Sequence, residues 1–290
     1  MTDKPVRLQL ETFLGCNARC SMCSVRDWKR VHGEMADQVF HRAVEQGLAY
    51  SEDIQATSLT MDGEPLLGRR IVERVAYSVE AGLPNIGFAT NDYLLNEELG
   101  CRLLDAGLDW ISFSFDSIDK TTYERARLRL KFDRTYNNIK VFIKNRNKGN
   151  YDTKVNLRHL DHNHNPNEFK RYQDSWKSYI RPGDQLHYSQ VYDWYSNQRA
   201  TAEGLLSCPY PIENIVIYRD GTVPLCCRDF NAMNVFGNIM DTDLVDIWNS
   251  QCWQEVRSLH KAQKGNEISF CRGCDIPHYE NKRQMLDTEE

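Results

Sequence analysis

Three cysteines, Cys16, Cys20 and Cys23, occur within eight residues near the amino terminus. No fourth cysteine or histidine accompanies them at ligand spacing, whereas a structural zinc site uses four ligands. A 4Fe–4S cluster held by three thiolates leaves one iron open, and that iron can bind and reduce a cofactor. This first cysteine group therefore predicts an iron–sulfur centre. A zinc knuckle or a run of buried thiols is the alternative interpretation.

A second cysteine group, Cys208, Cys226, Cys271 and Cys274, lies towards the carboxyl terminus. Four thiolates are enough to coordinate a 4Fe–4S cluster completely. Because such a cluster has no open iron for a substrate, its expected role is to accept or donate an electron. A structural zinc ion can use the same four ligands, and spacing alone leaves that alternative open.

The elements that must position these cysteines alternate along the chain. Short apolar, β-branched runs alternate with segments of helical period from Val6 to Trp194, which is typical of parallel βα units. The expected strands are Val6–Phe13, Ile54–Met61, Asn85–Ala89, Trp110–Phe115, Lys154–Leu160 and Gln185–Tyr192. The expected helices are Asp37–Ala49, Arg69–Ala81, Glu97–Ala106, Asp133–Asn147 and Pro166–Tyr179. This order predicts an α/β fold, a partial (β/α)6 TIM-like barrel with its chemistry at the carboxyl ends of the strands.

The pattern changes after Ser196. Ile215–Tyr218 and Thr222–Cys226 flank an Arg-Asp-Gly turn, which predicts a β-hairpin, and a helix is expected over Asp243–Leu259. This small unit has little core of its own, so a bound cluster would supply cross-links. We therefore expect a barrel over residues 1–196, a cluster-binding domain over 197–280 and a frayed polar tail over 281–290.

Composition narrows the class of protein. The hydrophobic fraction of 41% and charged fraction of 27% are ordinary for a folded globular chain. The net charge of −5 disfavours nucleic acid as a partner, because such binding depends on neutralising phosphates. No apolar run approaches the roughly 18 residues that span a bilayer, and the amino terminus lacks an apolar signal core. We expect a cytoplasmic protein without a membrane partner, in which ten cysteines bind metal or do chemistry.

The first cysteine group has the form CxxxCxxC directly after the first expected strand, and it resembles the signature of radical S-adenosylmethionine (SAM) enzymes. Met61–Pro65, at the end of the second strand, resembles the GGEP element of that family. The resemblance implies that Gly63, Glu64 and Pro65 contribute to holding the SAM ammonium group. Met22 departs from the family pattern, since an aromatic residue usually packs by the adenine there.

Two further elements extend the resemblance along the barrel. Thr90-Asn91-Asp92 follows the third expected strand and resembles the TNG element. The stretch that ends Ser114-Phe115-Asp116 follows the fourth and resembles the SxDG element near the SAM ribose. The resemblance implies SAM contacts from Asn91, Ser114 and Asp116. Asp92, and the serine after Asp116, stand where the family has glycine.

The resemblance implies a chemistry for the first cysteine group. In the family, the open iron of a 4Fe–4S cluster chelates SAM, and one-electron reduction splits SAM to give a 5′-deoxyadenosyl radical. That radical removes a carbon-bound hydrogen from the substrate. An electron donor such as flavodoxin or ferredoxin is then an expected partner.

The second cysteine group also carries a resemblance. Cys208, Gly221 and Cys226 match the CX9–15GX4C element of SPASM/Twitch auxiliary cluster domains. No cysteine follows Cys274, so the chain resembles the Twitch enzymes with a single auxiliary cluster, such as those that oxidise 2-deoxy-scyllo-inosamine. The resemblance implies two 4Fe–4S clusters and SAM as cofactors.

Three cysteines, Cys101, Cys227 and Cys252, stand outside both groups. An epimerase of this family needs a hydrogen-atom donor to quench the substrate radical, and a thiol can serve. Cys101 and Cys252 lie on apolar stripes and are expected to pack as small hydrophobic side chains. Cys227 fits three roles equally: donor, spare ligand or cavity wall.

A polar stretch ends the fifth expected strand. Arg158 or His159 could orient a hydroxylated or anionic substrate there, and a histidine could take a hydroxyl proton. His162 and His164 follow, and a solvated loop is the expected role for both. The catalytic residue itself is not identified by the sequence.

The resemblance predicts an oxidoreductase or epimerase. We expect SAM-dependent hydrogen abstraction from a polar small molecule, such as a sugar or aminocyclitol, that leads to oxidation or epimerisation. Modification of a ribosomally made peptide is an alternative, which the lack of a leader-recognition domain before Val6 disfavours. A non-catalytic, zinc-stabilised binding protein is a third possibility from a different class.

Overall fold

The computed structural model describes residues 4–161, 168–190, 207–272, 274 and 284–287. The strands are β1 Arg7–Leu10, β2 Phe13–Leu14, β3 Gly33–Glu34, β4 Ala56–Ser58, β5 Ile86–Thr90, β6 Trp110–Ser114, β7 Lys154–Asp161, β8 Gln185–Gln190, β9 Asn214–Ile217, β10 Thr222–Pro224, β11 Val235–Asn238 and β12 Gln284–Asp287. The α-helices are α1 Asp37–Gly47, α2 Ile71–Ala81, α3 Glu97–Asp105, α4 Lys120–Ala126, α5 Phe132–Lys148, α6 Glu168–Trp176, α7 Tyr210–Glu213, α8 Leu244–Trp248 and α9 Gln251–Lys261.

One eight-stranded sheet organises the molecule, in the order β12-β8-β7-β6-β5-β4-β1-β9. The six strands from β1 to β8 that belong to it are parallel and lie in chain order. Helices α1, α2, α3, α5 and α6 connect them, so the predicted α/β, partial-barrel architecture is confirmed. Because all six strands run the same way, their carboxyl ends meet at one edge and can assemble a site there.

The face of the sheet that the helices cover is apolar, and Phe113 packs there against Phe142 of α5. On β6, Ile111 and Phe113 are fully buried, and on β7 so are Val155 and Leu157. None of the helices in the described ranges is long and apolar enough to cross a membrane. The start of the expected helix at Pro166, the end of the expected strand at Tyr192 and the boundary at residues 196 and 197 lie outside the described residues.

The predicted hairpin after Ser196 is wrong in its pairing. Strand β9 joins the large sheet as a parallel neighbour of β1, and all four of its residues are buried. Strand β10 instead pairs with β11 in a separate antiparallel ribbon. The turn between β9 and β10 does form, with Gly221 at a φ of 88°. A turn signal reports only local geometry, whereas the open edge beside β1 decides the partner of β9.

Two other expectations are corrected. The expected helix over Asp243–Leu259 is divided into α8 and α9, because the Ser250 hydroxyl accepts a hydrogen bond from the amide of Trp253 and so caps a new helix. The break leaves Cys252 exposed, not packed on an apolar stripe. The tail is not wholly frayed either, since Gln284–Asp287 pairs antiparallel with β8 and covers that edge of the sheet.

Candidate active site and cluster sites

The first cysteine group lies in a cleft at the carboxyl ends of the barrel strands. Its loop leaves β2 through Gly15, whose φ of 137° favours glycine. The walls of the cleft come from loops after β2, β4, β5, β6 and β7: Cys16, Ala18, Cys20, Met22, Cys23, Ser24, Trp28, Thr60, Met61, Asp62, Gly63, Glu64, Ala89, Thr90, Asn91, Ser114, Arg127 and Leu160. The structure thus brings together three predicted ligands and four of the six predicted SAM contacts.

The environment of these three thiols is typical of metal ligands and not of solvent-exposed cysteines. Burial raises the pKa of Cys16 to about 12 and that of Cys23 to about 11, and the neighbouring thiols contribute to both shifts. Burial also raises the pKa of Cys20. Without a compensating positive charge, these thiols stay protonated at neutral pH. Bound iron supplies that charge and deprotonates its ligands, so the residues present are suited to a 4Fe–4S cluster.

Gly63 brings the second strand's loop against the cysteine loop. Its φ is 98°, and an added Cβ would lie 2.1 Å from the carbonyl oxygen of Phe13. The next residue donates its amide to the carbonyl of Gly15 at 2.9 Å. Only glycine allows this approach, so the predicted Gly63-Glu64-Pro65 element stands where the resemblance implies. Pro65 opens a buried 3-10 turn behind the cleft and does not line it.

Glu64 ties three loop segments together. Its carboxylate accepts hydrogen bonds from the Thr90 hydroxyl at 2.7 Å, the Asn91 amide at 2.7 Å and the Leu66 amide at 3.1 Å. Asn91 in turn directs its side-chain amide to the Cys16 sulfur at 3.6 Å. The glutamate therefore links the second and third strand loops to the cysteine loop, so that a displacement of any one segment alters the whole cleft.

Asp92 takes the conformation of the glycine that it replaces. Its φ is 65°, in the left-handed region, and its side chain is fully buried. Among the described residues, neither carboxyl oxygen has a hydrogen-bond partner. Burial, with the nearby Glu64, raises the pKa of Asp92 well above its ordinary value of 3.8.

We predict that Asp92→Gly stabilises the fold by about 1–3 kcal/mol at neutral pH, since it removes an unpartnered buried carboxyl and relieves a left-handed conformation. The pKa of Asp92 is higher in the folded protein than in the unfolded chain. The free-energy cost of holding this carboxyl protonated in the folded protein is therefore absent below pH 3.8 and grows as pH rises above that value. The gain in free energy of unfolding, measured anaerobically in urea, should be larger at pH 8 than at pH 5. Asp92→Asn keeps the conformation but should lose most of this pH dependence. Equal gains from Asp92→Gly at both pH values would contradict the assignment.

Asp116 is held differently from the expectation. Both of its oxygens accept hydrogen bonds from Arg127, each at 2.6 Å, and its side chain is buried away from the cleft wall. Arg127 lines the cleft in its place and directs a guanidinium nitrogen to the Cys20 sulfur at 3.8 Å. Ser114, two residues earlier on β6, does line the cleft. Arg127 belongs to none of the sequence motifs. The one indication of it in the sequence is that Asp116, if buried, needs a cation.

A charged cluster of Glu11, Arg30 and Asp62 lies beside the cleft. Arg30 binds Glu11 through two bonds at 2.5 and 2.6 Å and reaches the Oδ2 atom of Asp62 at 3.0 Å. Its Nε atom donates to the carbonyl of Phe230 at 2.7 Å, and its guanidinium stacks 3.6 Å from the Tyr218 ring. Arg30 therefore joins the barrel loops to the segment that follows the second cysteine group's Cys226.

The second cysteine group surrounds a separate, small cavity. The wall also includes Tyr210, Pro211, Leu225, Cys227, Arg228, His260 and Phe270. Burial raises the pKa of Cys226 and of Cys271 to about 12, and the other thiols of the group contribute to the shift of Cys271. Within the described ranges, no three His, Cys, Asp or Glu side chains have the spacing of a single-ion site. A 4Fe–4S cluster binds each thiolate to a different iron, so thiols spread around a cavity suit it.

The remaining predicted residues are placed as follows. Cys227 is buried, lines the second cavity and lies close enough to Asp62 for that charge to act on its thiol. Cys101 is half-buried and outside both sites. On β7, Leu160 lines the cleft and Arg158 shares its face, whereas His159 faces the helices and stacks on Tyr188 at 5.8 Å.

His162 and His164 lie outside the described residues. In the described part of the polar stretch at the end of β7, Arg158 lies on the face that carries Leu160. The alternation of the strand separates it from His159, which packs with the aromatic side chains of α6.

Two family models match the parts of the chain that contain the two cysteine groups. A model described as the radical SAM superfamily matches residues 10–172, which is more than half of the chain. A model described as SPASM, an iron–sulfur cluster-binding domain, matches residues 208–275 and so contains all four cysteines of the second group. The matches do not support the zinc-binding alternative.

Relatives share the fold but differ in what they act on. The AdoMet-dependent heme synthase of Methanosarcina barkeri is 29% identical over 163 residues, 56% of this chain and 46% of that protein. The chain spans less than half the length of the first curated relatives that it matches. Among solved structures, BtrN with AdoMet and 2-DOIA has a TM-score of 0.63 at 19% identity, covering 95% of this chain and 94% of BtrN. Streptococcus suis SuiB bound to the precursor peptide SuiA has a TM-score of 0.67 at 12% identity, covering 88% and 67%.

Proposed function

The chain belongs to the radical SAM superfamily, and on that basis we propose that it abstracts a carbon-bound hydrogen from a polar small molecule, a sugar or an aminocyclitol, and oxidises that carbon. Its cofactors are SAM, a 4Fe–4S cluster and further iron–sulfur. When bound, the cluster and SAM supply a 5′-deoxyadenosyl radical as the hydrogen-abstracting species. The observation that carries the proposal is the carboxylate of Asp62 in the cleft.

Asp62 stands at the first position of the GGEP-like element, where the family has glycine. Its side chain is 8% exposed and lines the cleft beside the first cysteine group. Among the described residues, only Arg30 binds it, through Oδ2. In this proposal the Oδ1 atom accepts a hydrogen bond from a substrate hydroxyl or ammonium group. A buried carboxylate suits a polar substrate and would be costly against an apolar one.

The remaining cleft residues support the same substrate class. Arg158 lies on the same face of β7 as Leu160, which lines the cleft. In this proposal Cys16, Cys20 and Cys23 hold the first cluster, while Gly63, Glu64, Asn91 and Ser114 face SAM. Asp116 positions Arg127, which lines the cleft.

Oxidation requires that a second electron leave the substrate. Cys208, Cys226, Cys271 and Cys274 form a full set of four thiolates around one cavity, which suits an electron acceptor without an open iron. Arg30 connects the cleft to the segment beside that cavity. Epimerisation is the second candidate, favoured by one observation: Cys227 is a buried thiol near Asp62 that could return a hydrogen atom.

The test is isotope transfer under anaerobic conditions. Reduced protein is incubated with SAM and with aminocyclitols or sugars deuterated at single carbons, or with a panel of peptides. Deuterium in 5′-deoxyadenosine, together with a ketone product, is the expected result. Retention of the alcohol with inverted configuration identifies the epimerase, and label arriving only from peptides overturns the small-molecule proposal.

We predict that Asp62→Asn lowers kcat/KM for the polar substrate by about 2- to 10-fold, which corresponds to the loss of one hydrogen bond of about 0.5–1.5 kcal/mol. Arg30 keeps its two bonds to Glu11, so the variant should fold. SAM cleavage without substrate should continue at the wild-type rate. The matched control is Asp241→Asn at an exposed position. A variant with weaker SAM binding but an unchanged substrate KM would show that Asp62 serves SAM.

A further inference from the structure

His260 forms part of the wall around the second cysteine group. It lies in the last turns of α9, and its side chain is fully buried. The Nδ1 atom accepts a hydrogen bond from the backbone amide of Cys208 at 3.2 Å. Trp253, on the same helix, donates to the carbonyl of Pro211 at 2.9 Å. Two contacts therefore fix α9, and the imidazole with it, against the segment that begins at Cys208.

The hydrogen bond to Cys208 determines which ring nitrogen carries the proton. A backbone N–H can only donate, so Nδ1 must offer a lone pair and the proton of the neutral ring resides on Nε2. Among the described residues, which include the four cysteines of the second group, Nε2 has no hydrogen-bond partner. A buried N–H donor without a partner is destabilising. His260 also lines the cavity of the second cysteine group. A group bound in that cavity could therefore accept a hydrogen bond from Nε2–H.

We propose that the Nε2–H group of His260 donates a hydrogen bond to a sulfur of the auxiliary cluster and raises its reduction potential. This inference rests on the proposed assignment of Cys208, Cys226, Cys271 and Cys274 as ligands. Hydrogen bonds to cluster sulfurs stabilise the reduced, more negative state. The histidine thereby makes the cluster a better acceptor for an electron that leaves a substrate radical.

Two substitutions separate this role from a structural one. Asparagine can place an acceptor near the position of Nδ1 and keep the bond from Cys208, but it cannot reach the cavity. Glutamine can place an N–H donor near the position of Nε2, but it loses that acceptor. We expect His260→Asn to shift the midpoint potential of the auxiliary cluster to more negative values and His260→Gln to stay near wild type. The opposite order would overturn the proposal in favour of a structural role.

The measurement is an EPR-monitored redox titration of anaerobically reconstituted protein. The first cluster, which lies in the other cavity, serves as the internal reference, and His41→Asn at an exposed histidine is the matched control. Iron content is determined on every sample. A wild-type protein that lacks the second set of four irons would overturn the ligand assignment itself, whereas two full clusters with unshifted potentials in both variants would overturn only the role of His260.

A wild-type measurement covers the case in which the variants fail to fold. Protein labelled with 15N-histidine and reduced at the auxiliary cluster should show a weak nitrogen coupling in pulsed EPR, because a hydrogen bond transmits spin density to the donor nitrogen. The chain has eight histidines, and His260 is the one placed at this cavity among the described residues. The absence of any histidine coupling at a fully assembled cluster would contradict the proposed bond.

Discussion

Cys20→Ala is expected to abolish 5′-deoxyadenosine formation while leaving the auxiliary cluster in place. Two thiolates cannot hold a 4Fe–4S cluster that already has only three protein ligands. Cys20 is the most buried of the three, and water has little access to replace its sulfur. Iron should fall from about eight to about four per chain, and sulfide in proportion. The measurements are metal analysis and chromatography of the SAM products from anaerobically reconstituted, reduced protein.

The control for that prediction is Cys101→Ala. Cys101 is half-buried on α3 and lies in neither cavity, so its removal should leave iron content and SAM cleavage unchanged. This comparison separates loss of a ligand from loss of any cysteine. If Cys20→Ala retains about eight irons and cleaves SAM at the wild-type rate, the first cysteine group is not the site of SAM chemistry.

Much of the barrel could be predicted because its signals are local. In the run Trp110–Phe115, Ile111, Phe113 and Phe115 alternate with serines, which is the period of a strand with one apolar face, and β6 occupies Trp110–Ser114. The period of Glu97–Ala106 likewise matches α3. The pairing of β9 could not be predicted, since it depends on which edge of the sheet is open once the other strands have assembled.

The same distinction holds for the candidate sites. The spacing of Cys16, Cys20 and Cys23 is visible in eight consecutive residues and needs no fold. Arg127 reaches Cys20 across 107 positions, and His260 reaches Cys208 across 52. Neither residue belongs to a motif, and each is recognised only by the atom that it approaches in three dimensions. Spacing therefore predicts the candidate ligands, whereas the residues that contact them could be recognised only in the structure.

Arg127→Met is expected to destabilise the protein by about 3–5 kcal/mol, because it leaves the Asp116 carboxylate buried without its cation. The pair is bidentate, at 2.6 Å for both bonds, and the Asp116 side chain is fully buried. The double variant Arg127→Met, Asp116→Val removes both charges and should recover most of the loss, since an apolar pair of similar volume needs no compensation. The measurement is the free energy of unfolding from anaerobic urea titrations of the two variants and wild type.

A matched control is available in the exposed pair Lys120 and Asp133, whose side chains are 57% and 73% exposed. Lys120→Met should give no resolvable change, because solvent already screens that interaction. Recovery of stability in the double variant without recovery of SAM cleavage would assign Arg127 a second role at the cleft, consistent with its approach to the Cys20 sulfur. Equal destabilisation in the single and double variants would instead mean that packing around the pair, and not the unpaired carboxylate, accounts for the loss.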